Sequence, residues 1–301
     1  MHESRICDII TEKTTTDGLS MEKLLLIDGS NLLFQMFFGM PARIINKSGR
    51  AIHGTMGFVG ALLKIIRMTC PTHIAVLFDG EHENPRAALN SDYKANRIDY
   101  AAVPEEASPF SQLPDIYAAL DYLKIKRAET TDCETDDWIA GYVHTYKHDT
   151  QIVISSFDSD YFQLLSDTVS VLRYRGRKST LWTSNELSAH FDILPEQYAD
   201  FKALTGDVSD NIKGADKIGP KTAALLLKQF GALESLLLNA EQIEKQSVRA
   251  SVIQNRERLK TNYRLIKLAG SEKLPFTLDE LSFSGLALST TEILKEIKLL
   301  P

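Results

Sequence analysis

The chain has 301 residues, 44% of them hydrophobic and 25% charged, and a formal net charge of −6. That length holds one full hydrophobic core and a smaller module, since single domains usually run to about 100 to 200 residues. The composition excludes disordered and collagen-like chains, and the acidic balance argues against a polyanion partner recognised through bulk charge.

The three cysteines, Cys7, Cys70 and Cys133, lie far apart, so neither a disulfide framework nor a CxxC zinc site is expected. This spacing suits a reducing, cytoplasmic setting. Residues 1–20 have no apolar stretch of signal-peptide length and read as a flexible N-terminal extension. No later run reaches the roughly 18 apolar residues that span a bilayer, so no membrane partner is expected.

Three apolar runs follow, each leading to an aspartate: Leu24 to Ile27 before Asp28, Ile74 to Phe78 before Asp79, and Ile152 to Ile154 shortly before Asp158. Their nearly continuous hydrophobicity predicts buried strands. Helix-like segments between them, Phe58 to Met68 and Pro114 to Leu123, predict an α/β core with a mainly parallel sheet covered on both faces. In such sheets the working edge lies beyond the carboxyl ends of the strands, where all three aspartates arrive. Each aspartate alone could equally open a turn or cap the next helix.

A fourth acidic group, Asp132 to Asp137, opens an apolar helix that begins near Trp138. Thr131 and Glu134 have capping-box spacing, and acids suit a first turn. At 100° per residue, Glu134 and Asp136 border the apolar face of Trp138, Ile139, Tyr142, Val143 and Tyr146, while Asp137 points away from it. Asp158 and Asp160, then Asp207 and Asp210, supply further carboxylates. So many anions in one pocket require cations, and hard oxygen donors select Mg2+ or Mn2+. Two such ions define two-metal phosphodiester hydrolysis. His144 and His148 have zinc-like spacing but neither an HExxH motif nor a third ligand, and read as surface residues of a helix.

Six ordered blocks carry a resemblance to the bacterial 5′-3′ exonuclease and flap endonuclease family, known both fused to DNA polymerase I and as stand-alone proteins. They are Ile27 to Asn31, Phe78 to Gly80, Arg86 with Tyr93 to Arg97, Glu134 to Asp137, Asp158 to Asp160, and Gly206 to Ile212. The resemblance implies a PIN-like nuclease core at 21–190 with a helical arch at about 84–108. It also implies a helix-hairpin-helix module of the H3TH type with C-terminal helices at 191–301. It implies Asp28, Asp79, Glu134 and Asp136 as ligands of a first ion, and Asp136, Asp158, Asp160 and Asp207 as ligands of a second, with Asp137 and Asp210 as supports behind them. Lys94 and Arg97 are implied as catalytic cations at the scissile phosphate, and Tyr93 as a residue that stacks on a base.

Ile212 to Ala223 resembles the family's hairpin, in which Lys217, Gly219, Lys221 and Thr222 at a helix start would bind backbone phosphate; related hairpins also hold K+. The chain departs from the pattern at Lys213, where proline is common, and at Lys217, where glycine is common, which weighs against a potassium site. Ser155 and Ser156 stand where Thr-Gly is usual, and Phe157 replaces a small residue. An alternating basic stretch, Arg173, Arg175, Arg177 and Lys178, is expected on an exposed strand or hairpin, and Arg249 to Lys267 as one long helix. The implied activity is structure-selective 5′-3′ exonuclease and flap endonuclease cleavage in replication and repair. Its partners would be branched, nicked or flapped DNA, or an RNA-DNA hybrid, bound by a monomer. A DNA-binding relative without strong activity and a PIN-type ribonuclease are the rival readings.

Overall fold

The computed structural model of the chain describes residues 21–82, 85–271, 273–285 and 288–301, so the expected N-terminal extension lies outside the described residues. Strand β1 (Glu22–Asp28) runs into helix α1 (Gly29–Gly39), followed by α2 (His53–Thr69) and β2 (His73–Phe78). After a long irregular stretch come α3 (Leu113–Tyr122), β3 (Lys126–Glu129), α4 (Thr135–Tyr146), β4 (Thr150–Ser155), β5 (Val169–Arg173) and β6 (Thr180–Trp182). The sheet order is β3-β2-β1-β4-β5-β6, parallel throughout except for β6, which runs antiparallel to β5.

The near-continuous apolar strands are explained by burial on both faces. Leu24 and Leu26 of β1, with Ala75, Leu77, Ile152 and Ile154, belong to one core cluster; Leu25 and Ile27, with Ile74, Val76, Phe78 and Val153, belong to another. Alternate residues thus point to opposite faces. One face packs on Phe58 and Leu62 of α2, Leu33 of α1 and Ile116 of α3; the other packs on Ile139, Tyr142 and Val143 of α4. Each fully buried leucine or isoleucine contributes about 1.5–3 kcal/mol relative to exposure.

The chain visits one side of β1 with β2 and β3, then the other with β4 and β5. The carboxyl ends of β1 and β4 therefore flank the point where strand order reverses, which is where α/β sheets build sites. Gly80 fixes the end of β2 against β3. A Cβ there would come within 1.9 Å of the Thr130 carbonyl oxygen, and the Gly80 amide donates to the Thr130 hydroxyl at 3.0 Å.

The C-terminal part is helical: α5 (Ser184–Phe191), α6 (Tyr198–Thr205), α7 (Pro220–Phe230), α8 (Leu233–Leu238), α9 (Gln246–Gln254), α10 (Arg256–Ile266) and α11 (Thr290–Glu296). Its apolar residues, including Phe201, Leu227, Val252 and Leu259, join the cluster under one face of the sheet. Two short strands, β7 (Gly206–Asp207) and β8 (Ile212–Lys213), pair between α6 and α7. Gly206 has φ 83 and its missing Cβ would lie 2.5 Å from the Gly214 nitrogen, so this ribbon closes only over glycine.

Three expectations are corrected. The single helix from Arg249 to Lys267 is two helices, broken at Asn255 with φ −101 and ψ 12, a residue whose short amide favours termini. Helix α4 starts at Thr135 with Glu134 as its N-cap residue, so Thr131 and Glu134 do not form the capping box. The expected arch contains no α-helix among its described residues: Pro85–Ala88, Tyr100–Ala102 and Glu105–Ala107 are single 3-10 turns. Lys94 at φ 57 and Pro104 interrupt any helical run. The basic stretch forms the β5–β6 hairpin as expected. Arg173 is held on it, with its guanidinium 4.7 Å from the Phe162 ring centroid and a bond of 3.0 Å to the Phe157 carbonyl.

Candidate metal centre

Asp28 ends β1 and serves two purposes at once. Its Oδ1 caps α1 by accepting from the Asn31 amide at 2.9 Å, and its Oδ2 accepts from the Ser156 hydroxyl at 3.0 Å and the Tyr161 hydroxyl at 3.3 Å. Burial pushes its pKa up to about 7, with Asp79 and Asp158 adding like-charge repulsion. The cap and the acidic cluster, alternatives in the sequence, are therefore both present. The neighbouring motif residues lock this edge: Ser30 Oγ accepts from the Asp79 amide at 2.9 Å, and Asn31 Oδ1 from the Phe157 amide at 3.0 Å.

Asp79 in turn accepts from the Thr135 amide at 2.9 Å, so the carboxylate just past the end of β2 caps α4 and brings Asp136 to the same edge. Asp136 is buried deeply enough for its pKa to rise well above the usual carboxylate range, with Arg86 only partly opposing that rise. Tyr161, whose hydroxyl bonds Asp28, lies in the combined field of Asp28, Asp136, Asp158 and Asp79. Asp158 accepts from the Asp160 amide at 2.8 Å, and one carboxylate oxygen from each of Asp160, Asp207 and Asp210 lies within 4.8 Å of the others.

The chain's own cations sit among these acids. Arg86 donates to Glu134, to Asp136 at 3.0 Å and to Asp137 at 2.7 Å; Lys94 pairs with Glu134, on which the Tyr93 hydroxyl also lies at 3.2 Å. Burial works to raise the Glu134 pKa, yet Lys94 and Arg86 together hold it at about 2. Arg97 pairs with Asp210 at 2.9 Å. Lys202 of α6 pairs with both Asp160 and Asp207. Burial raises Asp160 to about 7 even so, whereas Asp207, less buried and also bonded by Ser209, is held below its ordinary range.

One role implied for the 93–97 segment differs in this structure. Tyr93 is only 5% exposed, so its ring is not presented to a base. Lys94 pairs with Glu134 and Arg97 with Asp210, which brings both cations to the acidic edge. The sequence reading does not single out Lys202, although a lysine between the apolar Phe201 and Ala203 on the helix Tyr198 to Leu204 is a readable signal. Arg86, which the motif contains without an implied role, bridges Glu134, Asp136 and Asp137.

The hairpin follows the β7–β8 ribbon and leads into α7. Gly219 is the N-cap residue of α7 and supplies no side-chain cap, and a Cβ there would meet nothing within 4 Å. Lys217, Gly219 and Lys221 are exposed and Thr222 half-buried. Lys217 does take the positive φ, 66°, that favours glycine. Several hairpin carbonyls are occupied: Lys213 accepts from Asn262 at 2.9 Å, Gly214 from Arg258 at 2.8 Å, and Asp216 from the Ser251 hydroxyl.

The donor set fits divalent cations. All its ligands are hard oxygens, Asp28 and Asp160 are held near neutrality chiefly by burial with like-charge repulsion adding to it, and the buried hydroxyl of Thr135, whose amide donates to Asp79, has no hydrogen-bond partner. No helix among the described residues is long and apolar enough to cross a membrane.

The family model for the 5′-3′ exonuclease N-terminal resolvase-like domain matches residues 23–192, and that for the 5′-3′ exonuclease C-terminal SAM fold matches residues 193–288. The chain therefore belongs to the 5′-3′ exonuclease family. It is 30% identical to a 5′-3′ exonuclease of Aquifex aeolicus, over 82% of either chain. It is also 33% identical to the thermostable DNA polymerase I of Thermus thermophilus, over 85% of this chain but only 30% of that relative's length. Among solved structures, T5 5′-exonuclease with bound zinc matches with a TM-score of 0.66 at 23% identity, covering 92% of this chain and all of that one. The catalytic core of Rad2 in complex with DNA substrate matches at 0.59 and 13% identity, covering 99% and 94%. These likenesses define the fold: a PIN-like core joined to a helical SAM-type domain.

Proposed function

We propose that the chain is a divalent-metal 5′-3′ exonuclease and flap endonuclease that hydrolyses phosphodiesters in branched, nicked or flapped DNA, including RNA primers, as a monomer in the cytoplasm. The observation that carries this reading is the convergence of carboxylates from β1, β2, the start of α4, the segment after β4 and the ribbon after α6 on one sheet edge. Asp28, Asp79, Glu134 and Asp136 would hold one Mg2+, and Asp136, Asp158, Asp160 and Asp207 a second, with Asp137 and Asp210 orienting the basic side chains behind them. Bound there, the ions supply an activated water and neutralise charge on the leaving oxygen.

The chain's own residues do the rest. Asp79 and Asp28 fix the starts of α4 and α1, so the ligands are pre-organised. Lys94 and Arg97, paired with acids in the free chain, would turn to the more negative phosphate and offset the transition-state charge. The open start of α7, with Lys217, Lys221 and Thr222, would hold duplex backbone without reading bases. A potassium ion there would use hairpin carbonyls other than those already bonded by Asn262, Arg258 and Ser251.

The reading is tested by incubating the chain with 5′-flap DNA, nicked duplex and single-stranded RNA, with and without Mg2+. Mg2+-dependent flap cleavage that disappears in Asp136→Ala while duplex binding persists supports it. Absence of cleavage on every substrate selects a DNA-binding relative, and cleavage of RNA alone selects a PIN-type ribonuclease.

A further inference from the structure

Lys202 stands apart from the other cations of the site. Arg86, Lys94 and Arg97 come from a stretch of single turns, whereas Lys202 projects from the middle of α6, a helix whose Ala199, Phe201, Ala203 and Leu204 are packed in the core. The lysine is itself 7% exposed, and its Nζ contacts Asp160 and Asp207, with the Ser159 hydroxyl at 3.4 Å. These are two of the three acids whose oxygens converge within 4.8 Å. A compact ammonium with three donors occupies the space between carboxylates much as a small cation does, and its attachment to a packed helix means that it cannot withdraw far.

We propose that Lys202 is a positioning residue that acts as the resident counter-ion of the second ion position: it holds Asp160 and Asp207 converged before a metal arrives and weakens the affinity with which that position takes one. The inference rests on the two-ion reading given above. Its consequence is an ordered site, in which the position served by Asp160 and Asp207 fills less readily than its charge count suggests. A lysine that served only to pack α6 would lower stability when replaced and leave metal affinity unchanged or reduced. A resident counter-ion gives the opposite sign for the metal.

The test is titration of the full chain with Mg2+ alone by calorimetry at alkaline pH, together with the metal-free melting temperature, for the wild type, Lys202→Met and Lys202→Arg. The expected result is a lower metal-free Tm for Lys202→Met and an apparent Kd for one class of ions tighter by about tenfold or more, since a unit positive charge leaves the immediate neighbourhood of the ligands. Lys202→Arg, which keeps the charge, restores both. If Lys202→Met does not fold without metal, Lys202→Gln, which keeps donors to Asp160 and Asp207 without the charge, takes its place. A Kd unchanged or weaker in the neutral variant, with the wild type binding Mg2+, overturns this inference alone. A wild-type chain that binds no Mg2+ overturns the two-ion reading with it.

Discussion

The two halves of the acidic edge are neutralised by different kinds of structure. On the side of Glu134, Asp136 and Asp137 the cations Arg86 and Lys94 arrive on a stretch of isolated turns, tied down by the same ion pairs and by backbone bonds such as Lys94 to the Asp210 carbonyl at 3.0 Å. On the side of Asp160 and Asp207 the cation is part of a packed helix. The first arrangement can be undone by any stronger competitor for the carboxylates; the second persists for as long as the fold does. An irregular segment with few buried apolar side chains is drawn from the low-stability end of a protein, so the 85–108 stretch can respond to metal and DNA while the sheet edge stays fixed.

The largest effect that would sharpen this contrast is chemical. Asp136→Ala removes a carboxylate implied for both ions and is expected to reduce flap cleavage by more than about 100-fold, since even residues behind the ligands of metal sites cost 10–100-fold. Retained duplex binding, measured by fluorescence anisotropy, would separate this from unfolding.

The next effect is on stability. In the metal-free chain Asp28 and Asp160 are both raised from an ordinary value near 3.8 to about 7, chiefly by burial. The folded state then binds more protons than the unfolded chain between those values, so stability falls as pH rises through that window. For a single group the loss is at most about 4 kcal/mol, from roughly three pKa units. Glu134 and Asp207, held low, act the other way but only below their ordinary range. Metal-free protein should therefore melt higher near pH 5 than near pH 8, and saturating Mg2+ should remove the difference. A metal-free Tm that climbs with pH would break the account.

A smaller effect concerns the turns. Adding Mg2+ is expected to speed proteolysis or amide exchange within 85–108 severalfold by competing with Arg86 and Lys94, with β1, β2 and β4 unchanged. Equal protection with and without metal would mean that the two sides of the edge do not differ. Smallest is Lys217→Gly, which relieves a positive φ costing roughly 1–2 kcal/mol and removes one exposed charge. A slightly higher Tm with slightly weaker, less salt-sensitive duplex binding is expected.

Much of the sheet and its acidic edge was legible because burial on both faces writes itself as unbroken apolar runs, and because Asp28 and Asp79 follow those runs directly and Asp158 shortly after. What was not legible depended on partners distant in the chain. The start of α4 could not be read from Thr131 and Glu134, since its cap comes from Asp79, just past the end of β2. The arch could not be read as turns, since its shape is set by ion pairs to Glu134, Asp137 and Asp210. Tyr93 looked like a stacking residue until its hydroxyl was found on Glu134. Lys202 is hidden because a lysine ordinarily faces solvent, although the apolar Ala199, Phe201, Ala203 and Leu204 around it on the helix argue for burial.

The most direct test is a crystal structure of the chain soaked in Mn2+, read by anomalous scattering. Two peaks are predicted, one among Asp28, Asp79, Glu134 and Asp136 and one among Asp136, Asp158, Asp160 and Asp207, with Arg86 and Lys94 displaced from the carboxylates. A map without peaks at this edge, with Arg86 still bonded to Asp136, would contradict the account.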